Sequence, residues 1–288
     1  MSKIKSLAKE VKTRSTHARR SVIGHVRRDL RILRERLRRG ERRLPDTIVI
    51  GAQKAGTTTL YDALVLNPKV TGSYFKEVHF FDTDFDRGLD WYALNFPPRQ
   101  EIADDARVIE ASPYYLFHPD VAMRIKSFGR DVKILAILRD PVDRALSHYH
   151  HEHRKGFEPI ATPREAFAEE ARRMAEAEPG DYAHRHYSYV SRGLYARQLR
   201  PWFEAFGHDR IHVSFLEEVV ADRQKAFDDV ARFLDIPSHT YPDLKSNSGR
   251  YQAMDPEEER DLTDYFREDV AELEILLGRQ VPWTRFKP

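Results

Sequence analysis

Short apolar runs alternate with amphipathic stretches along most of the 288-residue chain. Thr47–Gly51, Arg107–Ala111 and Ile211–Phe215 read as short strands, and residues 132–138 (Val-Lys-Ile-Leu-Ala-Ile-Leu) form a nearly unbroken apolar run. Such a run is expected of a central parallel strand covered on both faces. Between these runs, apolar positions recur every three or four residues, which predicts helices over 57–66, 119–128, 141–155, 163–177, 194–206, 222–234 and 256 to about 277. Asp140 before Pro141, and Asp255 before Pro256, supply N-cap and first-turn signals. Strands alternating with helices define an α/β fold, a P-loop-like parallel sheet flanked by helices on both faces.

A different pattern precedes this body. Between residues 22 and 39, Ile23, Val26, Leu30, Leu33 and Leu37 recur in a heptad-like seam, with arginines on the other faces. The plainest expectation is a solvated helix with this stripe packed inward. The alternatives are packing on a sister subunit, an interfacial helix on anionic lipid, or an arm for polyanions. Gly40 reads as its C-cap, and Leu44-Pro45-Asp46 as the entry to the main body.

Charge sharpens that division. Residues 1–44 hold 16 Lys and Arg against 4 Asp and Glu, whereas the remainder holds 32 against 42. The basic character therefore belongs to an N-terminal extension, residues 1–44, and not to the main domain, residues 45–288. With no cysteine there is neither a thiolate metal site nor a cysteine nucleophile. No segment approaches the ~18 apolar residues of a membrane span, and no apolar run follows the basic start as in a secretory signal. A cytoplasmic protein is expected, with peripheral membrane or partner contact through residues 1–44 and no specific nucleic-acid partner; the oligomeric state is left open.

Candidate chemistry begins at Ile48-Val49-Ile50-Gly51-Ala52-Gln53-Lys54-Ala55-Gly56-Thr57-Thr58-Thr59-Leu60. Strand, glycine-containing loop and helix start form an anion site, because unpaired N–H groups and the helix dipole point outward together. Lys54 adds a full charge and the threonines add hydroxyls. A Walker A loop needs lysine directly after its last glycine. Here Thr57 takes that place and the lysine lies inside the loop, which argues against a metal-bound triphosphate and for a phosphate or phosphosulfate. Arg139 ends the 132–138 strand on the same rim, and Ser147 lies about two turns into the following helix, a pair suited to a second phosphate.

The second dense stretch is Phe75-Lys76-Glu77-Val78-His79-Phe80-Phe81-Asp82. Strand-like alternation would set Glu77 and His79 on one face with Phe75 and Phe81, a carboxylate and an imidazole available for acid–base work. His148, His150, His151 and His153 share a helix, but no acidic or cysteine residue completes a metal site with them, and they read as solvated or core residues. Trp91, Tyr92, Tyr114 and Tyr115 could stack on an acceptor or simply pack the core.

Taken together, these motifs resemble the sulfotransferases that use 3′-phosphoadenosine 5′-phosphosulfate (PAPS). The Gly51–Leu60 loop resembles their 5′-phosphosulfate loop, and Ile137-Leu138-Arg139-Asp140-Pro141, continuing to Ser147-His148-Tyr149, their 3′-phosphate motif. Lys76–Asp82, followed by Gly88-Leu89-Asp90-Trp91-Tyr92, is similar to the acceptor-side segment of the heparan sulfate glucosaminyl 3-O- and N-sulfotransferases. Ser246-Asn247-Ser248-Gly249-Arg250 is similar to their late nucleotide loop. The resemblance runs from about Thr47 to the C-terminus and implies the sulfotransferase fold in a soluble, bacterial-type member. It implies that Lys54, Ala55, Gly56, Thr57, Thr58, Thr59, Arg139, Ser147, Ser248, Gly249 and Arg250 hold PAPS. It assigns Glu77 as general base, with Lys54 and His79 at the reaction centre, and points to Lys76, Asp82, Trp91 and Tyr114 on the acceptor side. The expected reaction is a single in-line transfer to a hydroxyl or amine of a carbohydrate or small-molecule acceptor. It would leave adenosine 3′,5′-bisphosphate and need no metal.

Two departures stand out. The branch carries lysine after the glutamate of a Glu-Lys-Thr/Ser-Pro stretch, where this chain has Glu110-Ala111-Ser112-Pro113. A late-loop disulfide of the 3-O-sulfotransferases has no counterpart in a chain without cysteine. The alternatives are a P-loop-type nucleotide-dependent kinase and a non-catalytic polyanion- or membrane-binding protein.

Overall fold

The structure is a computed structural model and describes residues 26–38, 40–242 and 254–287. Five parallel strands, β1 (Thr47–Gly51), β2 (Val70–Gly72), β3 (Arg107–Ala111), β4 (Lys133–Leu138) and β5 (Ile211–Phe215), form one sheet in the order β2-β3-β1-β4-β5. The chain lays β2 and β3 on one side of β1 and then crosses to β4 and β5 on the other. This reversal opens a crevice beyond the C-terminal ends of β1 and β4.

Helices connect and cover the strands. They are α1 (26–37), α2 (Thr57–Leu64), α3 (Gly88–Ala93), α4 (Val121–Ser127), α5 (Pro141–Lys155), α6 (Pro163–Ala175), α7 (Tyr182–His186), α8 (Tyr195–Phe206), α9 (Leu216–Ala221), α10 (Arg223–Phe233) and α11 (Pro256–Leu277). The expected strands β1, β3 and β5 and helix α5 fall on the residues read from the pattern, and the other expected helices differ by up to two residues at an end. Strand β2 and helices α3, α7 and α9 are additions, three to six residues each, too short to show a period. Alternate residues of the central strands enter separate cores. Ile48, Ile50, Ile134, Ala136 and Leu138 pack with α4, α5, α8 and α11, while Val49, Leu135 and Ile137 pack with α2, α9 and α10. Burial on both faces explains the unbroken apolar run of β4. Among the described residues, no helix is long and apolar enough to cross a membrane.

Helix α1 reverses the expected packing. Ile23 lies outside the described residues, but Val26, Leu30, Leu33 and Leu37 are 51%, 62%, 57% and 80% exposed. The helix docks through its polar side. Glu35 is buried and paired with Arg31 at 3.0 Å and Arg42 at 2.7 Å. Arg28 covers Trp91, Arg31 covers Tyr74, and Ile32 is the buried aliphatic of this face. Long arginine stems bury apolar surface while their heads find acceptors, so an arginine-rich face can be the packed one. The helix ends at residue 37, before Gly40, so Gly40 is not its C-cap.

The segment from 75 to 82 is not a strand. Glu77 (φ 63°) and His79 (φ 56°) are left-handed, which breaks extended alternation and lets Phe80 and Phe81 both turn into the core.

One tertiary cap fixes the rear of the sheet. Asp269 of α11 accepts the N–H groups of Ala196 (3.0 Å) and Arg197 (3.1 Å) at the start of α8. Asp269→Ala strands one buried and one partly buried donor, and urea unfolding should show a loss of about 1–3 kcal/mol.

Candidate active site

The crevice is a cleft of about 1040 Å³. Its walls come from the β1–α2 loop (Gln53, Lys54 and Gly56–Thr59), from Glu77 and Pro113, from Arg139, and from the Leu216–Glu217 turn. One stripe of α5 completes it. Asp143, Ser147, His151 and Arg154 follow one another at spacings of four, four and three, so they share a face. Lys155 adds another cation.

The loop between β1 and α2 is shaped by close approach. A Cβ on Gly51 (φ 156°) would lie 2.8 Å from Leu116 Cβ and 2.9 Å from the Pro113 carbonyl. Gly56, the N-cap of α2, sits at φ 98° with Leu216 against it. Lys54 is itself left-handed (φ 71°), which turns its side chain toward α5, where Nζ lies 3.4 Å from His151 Nδ1. Burial lowers the Lys54 pKa, the charges of Arg154 and Lys155 lower it further, and it falls to about 8. Burial and the charges of Lys54, Lys155 and Arg154 bring His151 to about 3, so its imidazole is neutral.

Two buried guanidinium groups close on this loop from behind. Arg144 donates to the Gln53 carbonyl at 3.4 Å and to the Tyr189 carbonyl. Arg192 donates to Gln53 Oε1, to Ser188 Oγ at 2.7 Å and to the carbonyls of His184 and Arg185. Neither forms a salt bridge among the described residues. Burial, with Arg144 nearby, lowers Arg192 to about 10. Glu170 lies near both arginines and Glu152 near Arg192, but neither carboxylate pairs with them directly, so two buried cations beneath the loop add to the positive charge of the cradle.

Across the cleft mouth, Glu77 is half exposed. Its N–H donates to the Ala111 carbonyl (2.9 Å), and the His79 N–H to Ser112 Oγ (3.1 Å). Ser112 donates to the buried Glu110 carboxyl at 2.7 Å, which also accepts from Tyr115 at 2.7 Å and Tyr92 at 2.5 Å. Burial raises the Glu110 pKa against these donors. The left-handed turns of Glu77 and His79 are therefore anchored to a hydrogen-bonded cluster at the end of β3. His79 lies between two carboxylates, with Nδ1 2.6 Å from Asp82 and Nε2 3.7 Å from Glu77. Burial opposes its protonation, but Asp82 and Glu77 raise it to about 9. Burial likewise raises Glu77, yet the nearby His79 and the charge of Lys76 hold it at about 2.

The structure thus brings Lys54, Gly56, Thr57, Thr58, Thr59, Glu77, Arg139 and Ser147 around one space. Arg139 is 3.8 Å from Asp143. Ala55 is fully buried beneath the loop. Lys76 bridges Thr58 Oγ1 (2.9 Å) and Glu77 (3.2 Å), placing a cation beside Glu77 where Ala111 supplies none. Asp82 is buried behind His79. Ser248, Gly249 and Arg250 lie outside the described residues. Trp91 and Tyr114 do not line the cleft. Trp91 is sandwiched between Arg28 and Arg87, and Tyr114 is buried against His184 and Arg192. Their positions follow from arginine stacking, which their spacing does not reveal. Of the four histidines on α5, His148 is buried and His153 exposed, as expected, but His151 joins the cleft. Its position one helical turn beyond Ser147 is the signal that would have found it, and Arg154 follows on the same face.

The family described as Sulfotransferase domain matches residues 44–271. The chain is 29% identical over 277 residues to human bifunctional heparan sulfate N-deacetylase/N-sulfotransferase 3, covering 84% of this chain and 31% of that protein. It is 23% identical over 313 residues to the membrane-associated sulfotransferase kil1 of Dictyostelium discoideum, covering 83% of this chain and 66% of that one. It therefore spans about a third of the first relative and just under two thirds of the second. Among solved structures, a sulfotransferase from Alicyclobacillus acidocaldarius matches with a TM-score of 0.68 at 31% identity, covering 83% of this chain and 98% of that chain.

Two outcomes follow from the geometry. Lys54 is charged below about 8 and neutral above it. Affinity for adenosine 3′,5′-bisphosphate should hold below that pH and decline through it, by roughly tenfold per unit if the lone charge decides. Calorimetric titration of wild type against Lys54→Met, whose weaker binding should lose this step, checks it. Ser112→Ala releases the His79 backbone from the Glu110 cluster. It should lower kcat roughly ten- to hundredfold with little change in nucleotide Kd, as steady-state kinetics with parallel calorimetry would show.

Proposed function

The chain belongs to the sulfotransferase family, and we propose that it transfers the sulfuryl group of PAPS to a hydroxyl or amine of a carbohydrate-like acceptor. The observation that carries this reading is that Lys54 and Glu77 line one cleft together with a second cation, Arg139, and Ser147. Lys54, Arg139, Arg154 and Lys155 supply its positive charge. The acids there are engaged: Glu77 with Lys76 and His79, Asp143 with Arg285, and Glu217 with the Asp140 N–H and the Trp283 indole. A donor set of this kind fits a nucleotide phosphorylated at both ends of its ribose. Bound PAPS supplies the activated sulfuryl group.

The chain's own groups then have separate tasks. The N-terminus of α2 and Thr57–Thr59 hold the 5′ end, and Arg139 with Ser147 the 3′ phosphate. Lys54 steadies negative charge on the leaving phosphate oxygen. The neutral His151 accepts a hydrogen bond from its ammonium and keeps it aimed into the cleft. Glu77, ionised at neutral pH, takes the acceptor proton. Protonated His79, held by Asp82, orients that carboxylate and limits its mobility. Entry of an acceptor between Glu77 and its cationic neighbours would weaken those pairs and raise the basicity of the carboxylate, which suits it to proton removal. Transfer is a single in-line step, in which positioning and fixed positive charge carry the rate. The acceptor class rests on the likeness of the segment 76–92 to that of heparan sulfate N-sulfotransferases.

The test is mass-spectrometric detection of labelled sulfate moved from PAPS to a panel of glycans, lipids and phenols. Glu77→Gln should reduce transfer by at least ~10³-fold while adenosine 3′,5′-bisphosphate binds within about threefold of wild type. A fully active variant removes Glu77 as the base. Transfer to phenols alone removes the carbohydrate assignment, and phosphate transfer from magnesium-ATP without sulfate transfer returns the chain to the kinase reading.

A further inference from the structure

We propose that the outer face of α1 is a docking surface for an anionic lipid membrane. Val26, Leu30, Leu33 and Leu37 form a continuous i, i+4, i+7, i+11 stripe and are 51–80% exposed. The described residues leave them exposed, because the opposite face of α1 carries the docking contacts. Arg28 bonds the Val78 carbonyl (2.8 Å) and Asp84 (3.1 Å), and Glu35 gathers Arg31, Arg38 and Arg42. The stripe is thus presented outward by a helix anchored on its polar side, the inverse of an ordinary surface helix.

Charge selects the occupant. Beside the stripe, Arg27, Arg34 and Arg36 are exposed and make no ion pair among the described residues, against one exposed carboxylate, Asp29. The 25 residues preceding this helix hold seven Lys and Arg and one Glu in sequence. An apolar stripe edged by arginines, with further cations attached, matches an interface of acyl chains under anionic headgroups. A second copy of the chain fits poorly. The stripe offers four side chains on a helix about 18 Å long, whereas a stable interface uses roughly 20–30 residues a side. Pairing would also bring the flanking arginines of two copies together.

The placement bears on the site. Val78, which accepts from Arg28 of α1, lies between Glu77 and His79. The membrane-facing helix and the loop carrying these residues are therefore in direct contact, so docking would act on the element that braces this loop.

Vesicle flotation of the full chain tests this, using phosphatidylcholine vesicles with and without about one-third phosphatidylglycerol. The chain should float with the anionic vesicles, bind at least ~10-fold less to neutral ones, and be released as salt rises. Leu30→Ser/Leu33→Ser should bind at least ~10-fold more weakly with unchanged adenosine 3′,5′-bisphosphate affinity, and Arg34→Gln/Arg36→Gln should weaken binding and flatten its salt dependence. Since the described tryptophans Trp91, Trp202 and Trp283 are buried, Leu33→Trp adds a surface reporter whose emission should shift blue on anionic vesicles alone. Failure to float, equal binding by the serine variant, or an unshifted reporter overturns the proposal. So does a dimer in solution that Leu30→Ser/Leu33→Ser converts to monomer, which would assign the face to a second copy.

Discussion

The grip of Arg144 and Arg192 on Gln53 is the contact on which the cleft depends. A loop that must present Lys54 in a left-handed turn, between a fully buried strand and a short helix, has little to brace it from the front, where it meets ligand. Bracing comes from behind, through two arginines that bond carbonyls and a side-chain amide and meet no carboxylate among the described residues. The same arrangement that fixes the loop charges it. Buried cations that pair directly with neither nearby carboxylate, Glu170 or Glu152, are unfavourable in the free protein, and an anionic ligand in the cleft relieves that. Fold stability and ligand affinity are in this sense opposed at Gln53 and reconciled by binding.

A second brace acts across the cleft. Glu77 and His79 occupy backbone conformations that side chains seldom adopt, and such strain persists only where the surroundings over-determine it. Here the surroundings are the last residues of β3 and a carboxyl shared by Tyr92, Tyr115 and Ser112. The sheet carries both braces, since β1 ends in the cradle and its neighbour β3 ends in the anchor of the Glu77–His79 loop. Opposite charges are thereby fixed on facing walls before any ligand arrives, which is the preorganisation that transfer chemistry needs.

The extension adds a third relation. Helix α1 reaches the reaction loop through one hydrogen bond to Val78 and packs through arginine stems over Trp91 and Tyr74. What would ordinarily be its core-facing stripe is left for another surface. Helix α1 thus joins the body beside the loop that carries Glu77 and His79, not at a remote edge.

Much of this was legible along the chain. The alternation of β1, β3, β4 and β5 with helices needed only period and length. The gathering of Lys54, the threonines, Arg139 and Ser147 around one cleft needed only the order of elements, because a strand followed by a loop and a helix start places such residues on one rim wherever it occurs. Glu77 was singled out by its chemistry and does line the cleft, but the extended alternation assumed for residues 75–82 does not exist. Local sequence could not reveal this, since the left-handed turns are held by hydrogen bonds to residues more than thirty positions away. His151 required knowing which face of α5 meets the cleft. Trp91 and Tyr114 required knowing which arginines stack on them. The direction of α1 was decided by tertiary structure alone, for a heptad stripe specifies which residues lie together and not which side finds a partner. Sequence determined the elements and the chemistry each could offer; packing decided which of those groups face one another, because contacts between distant segments are set by the shape of the whole core and not by spacing within any one of them.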